Sequence, residues 1–477
     1  MSLYHGRKTL THRFRLVLAS FLQSDGLPFG DVLPEEEIER AFAEEGVSFT
    51  SADSVEDTVY TPSVTLWGFI SQTLHKGEHR SCVAAVSRIV VLLVALGRKP
   101  PSSNTGAYCR ARAKLPEVVI RRLTLDIARG CEAAAPRSWL WHGRHVKLVD
   151  GTTVSMPDTE ANQAEYPQPA TQEAGVGFPL SRMVVIFSLA TGMLCDMAMG
   201  PYKGKETGET ALFRELFGGL EAGDIVLADR YYCSYFMIAL LKELGIDFVV
   251  RLHQARTADF RRGRRLSQGD HVVEWIRPLQ PEWMDEETYN RMPASIELRE
   301  VRVHVEQPGF RSESFVVVTT LCDAKEYPAE EMATLYRGRW LAELDIRTIK
   351  ITLDMDVLRC KTPEMVRREI WVHLLTYNLI RRSILQSAEA SGLSPRELSF
   401  TAAMQSIAAS WIVAVLGDRS TFVALVEAHL ANLAGHRVGD RPDRVEPRAV
   451  KRRPKPHRLL TKPRAEARRD LLAGVST

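Results

Sequence analysis

The sequence predicts an α/β core that carries a β-strand-rich insertion and lies between helical N- and C-terminal regions. Three observations predict it. Before about residue 144 the apolar stretches, such as Trp67–Leu74 and Ala84–Leu96, are clustered and do not alternate like strands. From His145 onward, short apolar runs bounded by turn residues are interleaved with helical patterns. After Thr352 the helical pattern returns and lasts to Gly435. With 477 residues, 45% hydrophobic and 25% charged, the chain is too long for one core but has a globular composition. The predicted division is 1–144 helical, 145–371 core with the insertion at about 253–312, and 372–477 helical with a basic tail.

Within the first region, 51–64 is polar, contains a proline and reads as a connector. The run 97–106 breaks the helical pattern. Asn104 or Thr105 caps the next helix, which carries Arg110, Arg112 and Lys114. The core opens with the strand His145–Asp150. Strands Met183–Leu189 and Met193–Met199 follow around the hairpin residues Ala190, Thr191 and Gly192. Next come a helix at Glu209–Leu220, a strand at Asp224–Asp229, a helix at Cys233–Leu244 and a strand at Asp247–Leu252. Three strands, helix, strand, helix, strand is the ribonuclease-H-like order, with a mixed sheet covered by helices. The insertion then holds Arg261, Arg262, Arg264 and Arg265 with Trp275 and Trp283. The strand 314–321 returns the chain to the core, and one long helix is expected from about Ala329 to Thr352.

Several classes are excluded. Seven cysteines with no C-x-x-C pair argue against a disulfide framework and a thiolate zinc site, and fit a reducing, cytoplasmic setting. Residues 398–417 carry no charge, but about half are Ala, Ser, Thr and Gln. A buried helix is therefore expected there, and no membrane span. The net charge of +3 is too small to identify a partner.

The chemistry rests on carboxylates. Asp150 ends the first predicted strand and Asp229 the fourth, which are neighbours in this layout. An isolated strand-end aspartate usually caps a turn. Two at matching ends of adjacent strands form a pair of hard oxygen ligands suited to Mg²⁺ and to a site shared by two ions. A third acid lies in YRGRWLAELDIRTIK, where Tyr336, Arg339, Glu343 and Lys350 follow at spacings of 3, 4 and 7. On a regular helix these fall on one stripe, with Trp340, Leu344 and Ile351 beside it as anchors to the sheet. A solvated charged face would account for the charges but not for the tyrosine.

These residues resemble the DDE transposases of bacterial insertion sequences, in the insertion-sequence-four family marked by Y-x2-R-x3-E-x6-K. Tyr336, Arg339, Glu343 and Lys350 fill that pattern, and Asp150 in VDGTT and Asp229 in LADRYY match its two aspartates. The resemblance implies a DNA transposase that cuts at insertion-sequence ends and joins the freed 3′ hydroxyl to target DNA. It implies Asp150, Asp229 and Glu343 as ligands of two Mg²⁺ ions, with Mn²⁺ as an alternative. Tyr336, Arg339 and Lys350 would hold DNA phosphates. It also implies a homodimer in the synapse, for which the apolar-rich Val372–Leu385 is the expected contact helix. The family's stacking tryptophan would fall at Phe315, read here as a strand core residue.

The tail from His436 to Glu466 holds eleven Lys or Arg against four acids and several prolines, consistent with salt-sensitive phosphate contact or with a solvated end. Arg261 and Arg262 are further DNA-binding candidates, and DNA (terminal repeats and target) is the expected partner. The competing readings are a nuclease with the same core that cuts without joining, and a non-catalytic DNA-binding descendant.

Overall fold

The computed structural model describes residues 41–44, 46, 59–95, 100–173, 175–305, 313–416, 419–438 and 462–473. Most of the basic tail therefore lies outside the described residues. The described residues fall into two compact units. One is drawn from Trp141–Leu189, Asp196–Leu344 and Asp440–Thr477, the other from Met1–Leu140, Ala190–Cys195 and Asp345–Gly439. The helices that precede the sheet in sequence thus share a unit with those that follow it.

The first unit is built on one mixed sheet of nine strands: β1 Val146–Ser155, β2 Leu180–Ser188, β3 Leu194–Pro201, β4 Ile225–Ala228, β5 Asp247–Arg251, β6 Arg264–Ser267, β7 Asp270–Ile276, β8 Ser295–Val305 and β9 Glu313–Thr319. Their order across the sheet is β3-β2-β1-β4-β5-β9-β8-β7-β6. β1 runs antiparallel to β2 and parallel to β4, and β4 runs parallel to β5. All four residues of β4 are buried, as expected of a parallel strand covered on both faces. β9 lies antiparallel between β5 and β8, so the expected insertion extends the same sheet through β8, β7 and β6. The edge strand β6 is short and mostly exposed, with Arg264 and Arg265 at its start, features that discourage edge-to-edge pairing.

Two expectations are corrected here. The first strand does not end at Asp150 but continues to Ser155, because beyond Leu148 it keeps β2 as a partner after β4 has stopped. The long helix expected over Ala329–Thr352 is broken into Ala329–Arg337, Trp340–Arg347 and a wider π-type turn Thr348–Thr352. The break is at Gly338. The amides of Gly338, Arg339, Leu341 and Ala342 reach back three residues instead of four, which tightens the backbone. A Cβ at Gly338 would lie 2.9 Å from the Leu335 carbonyl oxygen and 3.1 Å from Leu189 Cδ1, so the close approach depends on glycine. Trp340, Leu344 and Ile351 are exposed rather than buried as expected; the buried residues of this segment include Met332, Leu335, Tyr336 and Ala342.

The other unit is helical. Its helix Pro62–Thr73 starts inside the expected connector: Thr61 accepts from Val64 N and proline occupies the first turn. Asn104 Oδ1 accepts from Gly106 N at the start of Gly106–Ala113. Arg112 on that helix stacks its guanidinium 4.7 Å from the Phe69 ring, so it serves packing rather than an outward basic face. The helix Pro363–Ser391 is closed by Gly392 at φ 64°. Val372, Leu374, Leu375, Leu379, Ile380 and Ile384 on it are at most 1% exposed. Asn378 Nδ2 donates to the Thr124 carbonyl of helix Glu117–Ala133. The Val372–Leu385 segment is therefore core, and its apolar residues are not offered as a dimer face. Phe400–Leu416 is a helix with Phe400, Ala403, Met404 and Ile407 buried, and no helix among the described residues is long and apolar enough to cross a membrane.

His429 in the helix Arg419–Gly435 is buried, with Nδ1 2.6 Å from the Ser406 hydroxyl, and burial pushes its imidazole down to about 4. The folded state thus favours the neutral ring. Its contribution is complete above the unfolded value near 6.5 and is lost as pH falls through 6.5 towards 4. Between pH 7 and 4, His429→Asn is expected to remove about 3 kcal/mol of the wild-type decline in stability, read from urea titrations at several pH values.

Candidate functional site

The parallel register of β1 and β4 is Val146↔Ile225, Lys147↔Val226 and Leu148↔Leu227. Asp150 and Asp229 each lie two residues beyond the last of these pairs. They therefore stand at the same level, Asp150 still within β1 and Asp229 just past the end of β4, on strands whose backbones are ~4.8 Å apart where paired. β4 ends at Ala228, and Asp229 caps the turn Arg230–Tyr232, its Oδ1 accepting from Tyr231 N at 2.6 Å. Asp150 Oδ1 accepts from Gly151 N at 2.9 Å.

Glu343 reaches this pair through Arg339. The guanidinium lies 2.7 Å from Glu343 Oε1 and 3.9 Å from Asp150 Oδ2. Burial raises the Asp150 carboxyl to about 6; Arg339 and the Gly151 amide oppose the rise, while Glu343 and Asp229 add to it. Both other carboxylates thus act electrostatically on Asp150. Among the described residues no group of three or more His, Cys, Asp or Glu side chains is gathered closely enough to hold one ion, and Arg339 occupies the space between Asp150 and Glu343.

Tyr336 is 7% exposed, and burial raises its phenol, so it stays a hydrogen-bond donor. Its ring centroid is 5.3 Å from that of Phe315. Phe315 is half-buried rather than a core residue. The Arg251 guanidinium covers its ring at 4.8 Å, and it lines a cavity of about 420 Å³ with Arg251, His253, Arg256 and Arg302. Its setting is a basic cleft wall, which the strand's apolar run concealed.

Lys350 belongs to the helical unit, in the turn Thr348–Thr352, with Nζ 3.1 Å from Asp356 Oδ1. Arg261 and Arg262 are strongly exposed and pair with Asp259, just before the edge strand β6, which is five strands from β4. Trp275 is buried and donates to Glu300, while Trp283 stacks beneath Arg214.

The sequence reading missed Glu209, Tyr232 and Gly151. Glu209 opens the helix Glu209–Glu215 between β3 and β4, and its carboxylate lies over Gly151, the residue after Asp150 in the chain. Tyr232 is buried, donates to Glu209 Oε2 at 3.5 Å and feels Asp150 and Asp229. The available signal was an acid at a helix start and a glycine after the first aspartate, neither distinctive alone.

The family model for the transposase DDE domain matches residues 141–379. The chain is 26% identical over 429 residues to transposase InsG for insertion sequence element IS4 of Escherichia coli (strain K12), covering 89% of this chain and 92% of that protein. It is 40% identical over 65 residues to putative transposase InsL for insertion sequence element IS186A of the same organism, 14% of this chain and 18% of that protein. A solved piggyBac transposase synaptic complex with hairpin DNA has a TM-score of 0.40 and 11% identity, over 90% of this chain and 86% of its own.

Proposed function

The chain belongs to the transposase DDE domain family, and from that premise we propose that it is a DNA transposase whose ribonuclease-H-like core cuts insertion-sequence ends and joins them to target DNA. The observation that carries the reading is the convergence of Asp150 and Asp229 at one level of parallel neighbours, with Arg339 tying Glu343 to Asp150. The strand order β3-β2-β1-β4-β5 supports the core assignment.

Asp150, Asp229 and Glu343 would hold two Mg²⁺ ions, or Mn²⁺. The donors are hard oxygens. Mg²⁺ commonly takes only one or two carboxylates and completes its shell with water and substrate phosphate, so a three-sided protein cage is not required. When bound, the ions would activate water or a 3′ hydroxyl and stabilise an in-line displacement at phosphorus. Arg339 neutralises Glu343 and can turn its fork to a phosphate. Tyr336, kept protonated by burial, donates to a phosphate oxygen, and Lys350 adds a point charge. The exposed Arg261 and Arg262 add backbone contacts away from the acids. The reading includes end recognition by the N-terminal helices and two copies of the chain, with C-terminal contacts, acting in one synapse.

Incubation of the purified protein with labelled element ends, target DNA and Mg²⁺ is expected to give joined products. Nicks without joining would favour the nuclease reading, and absence of metal-dependent cutting would overturn both.

A further inference from the structure

We propose that the loop 202–208, which carries Lys203 and Lys205, is a preordered clamp for the DNA backbone at the end of the sheet that bears the aspartates; this rests on the transposase reading above. Its place follows from the strands. β1 runs on past Asp150 to Ser155, and Ser155 is paired with Leu180 at the start of β2. The amide of Tyr202, the first residue after β3, donates to the Leu180 carbonyl at 3.2 Å. The loop therefore begins level with Ser155, at ~17 Å along β1 from Asp150 by the ordinary rise of a strand. From there the chain returns to Glu209, whose carboxylate lies over Gly151. The loop thus covers about half a helical turn of a duplex whose scissile phosphate sits at the aspartates.

The loop is held in shape by its own frame. Arg182 on β2 donates through Nη1 to the Thr207 carbonyl at 2.8 Å and lays its guanidinium 4.8 Å from the Tyr202 ring. Arg214 in the helix Glu209–Glu215 donates to Glu206 Oε2 at 2.8 Å and so neutralises the loop's only acid. The Thr207 hydroxyl donates to the Gly204 carbonyl at 3.0 Å, and the backbone turns through positive φ, 154° at Gly204 and 57° at Glu206. A Cβ at Gly204 would lie 3.0 Å from Thr207 Cγ2, so the turn is tight as well as braced. Lys203 and Lys205 are left exposed, and neither forms an ion pair among the described residues. Two unpaired positive charges on a backbone that is already ordered suit a polyanion, because little further ordering is needed when phosphates bind.

The competing account is a solvated turn whose lysines meet only water. Counterion release separates the two, since each phosphate contact adds about 0.9 to the slope of log affinity against log salt on duplex DNA. Fluorescence anisotropy with an end-containing duplex, in chelator and at several salt concentrations, reads that slope on the full-length protein. Replacing both residues, Lys203→Ala with Lys205→Ala, is expected to reduce the slope by about 2 and to weaken binding about tenfold or more near physiological salt. The pair Lys203→Gln with Lys205→Gln serves if the alanine form does not fold. Lys203→Arg with Lys205→Arg keeps both charges and is expected to keep the wild-type slope. Lys242→Ala removes an exposed charge just before β5 begins, at the opposite end of the sheet, and is expected to leave the slope unchanged. A wild-type slope in the folded double variant, or a loss in Lys242→Ala as large as one loop lysine causes, would overturn the proposal. The wild-type protein separates the two levels. If it binds the duplex in a salt-sensitive way and cuts it with Mg²⁺ while the double variant keeps the full slope, only the clamp fails. If the wild type neither binds nor cuts, the transposase reading itself fails.

Discussion

Asp150→Asn is expected to lower the rate of DNA-end cleavage by about 10³-fold or more while leaving DNA affinity within a few fold. The amide has nearly the same shape as the carboxylate, and Asn can still accept from Gly151 N as Asp150 Oδ1 does. What it removes is the negative charge that both Asp229 and Glu343 influence. A turn-capping role would survive the change, because the cap needs an oxygen and not a charge. In chelator the variant should be no less stable than wild type, since burial and two neighbouring carboxylates oppose ionisation of Asp150. Asp229→Asn should match it in cleavage, and the double variant should be little worse than either, because groups acting as a unit are strongly non-additive. Single-turnover cleavage, filter binding and thermal melting together separate loss of chemistry from loss of binding or fold.

The largest expected stability effect lies at the other end of the sheet. Arg299 on β8 is fully buried and grips Asp270 on β7 with both arms, Nε to Oδ1 at 2.8 Å and Nη2 to Oδ2 at 2.6 Å. Its third contact, Nη1 to the Tyr327 carbonyl at 2.6 Å, ties the strand to the chain just before the helix Ala329–Arg337. Arg299→Ala would leave a carboxylate that is 3% exposed without its counter-charge and a carbonyl without its donor. Breaking a buried pair on one side costs about 3–5 kcal/mol. Replacing both partners with apolar residues of similar volume should recover much of that, because no lone charge is then buried. Urea unfolding of the single and double replacements measures both. A loss below about 1 kcal/mol in Arg299→Ala would match a solvent-exposed pair instead. Because Tyr336 lies on that helix, cleavage should also fall in Arg299→Ala, but with DNA affinity falling alongside it.

The sequence made the strand order and the two aspartates legible for a simple reason. Buried parallel strands read as short apolar runs, and VKLVD and IVLAD each run straight into an acid. The third acid was legible from spacing, but its geometry was not. A single glycine in RGR does not interrupt an apparent helical period, yet Gly338 tightens the backbone because Leu189, distant in sequence, packs against it. The same kind of long-range packing decided the other departures. Trp340 and Leu344 look like anchors by periodicity but are exposed, and Val372–Leu385 looks like an interface but is already filled by helices such as Glu117–Ala133. Phe315 sits in an apolar strand, and only the approach of Arg251 and Tyr336 reveals it as a cleft wall. Glu209 had no spacing partner to mark it. Its place against β1 depends on a glycine fifty-eight positions away.

Metal-ion rescue of cysteine substitutions tests the central claim most directly. Asp150→Cys, Asp229→Cys and Glu343→Cys replace a hard oxygen with a soft thiolate, which Mg²⁺ binds poorly and Mn²⁺ tolerates better. Each variant is expected to lose cleavage in Mg²⁺ and to regain a measurable fraction in Mn²⁺, while the matching alanine variants stay inactive in both. Cleavage at the wild-type rate in Mg²⁺ by any of the three cysteine variants, or equal Mn²⁺ activity in the alanine and cysteine forms, would contradict joint ligation by these acids.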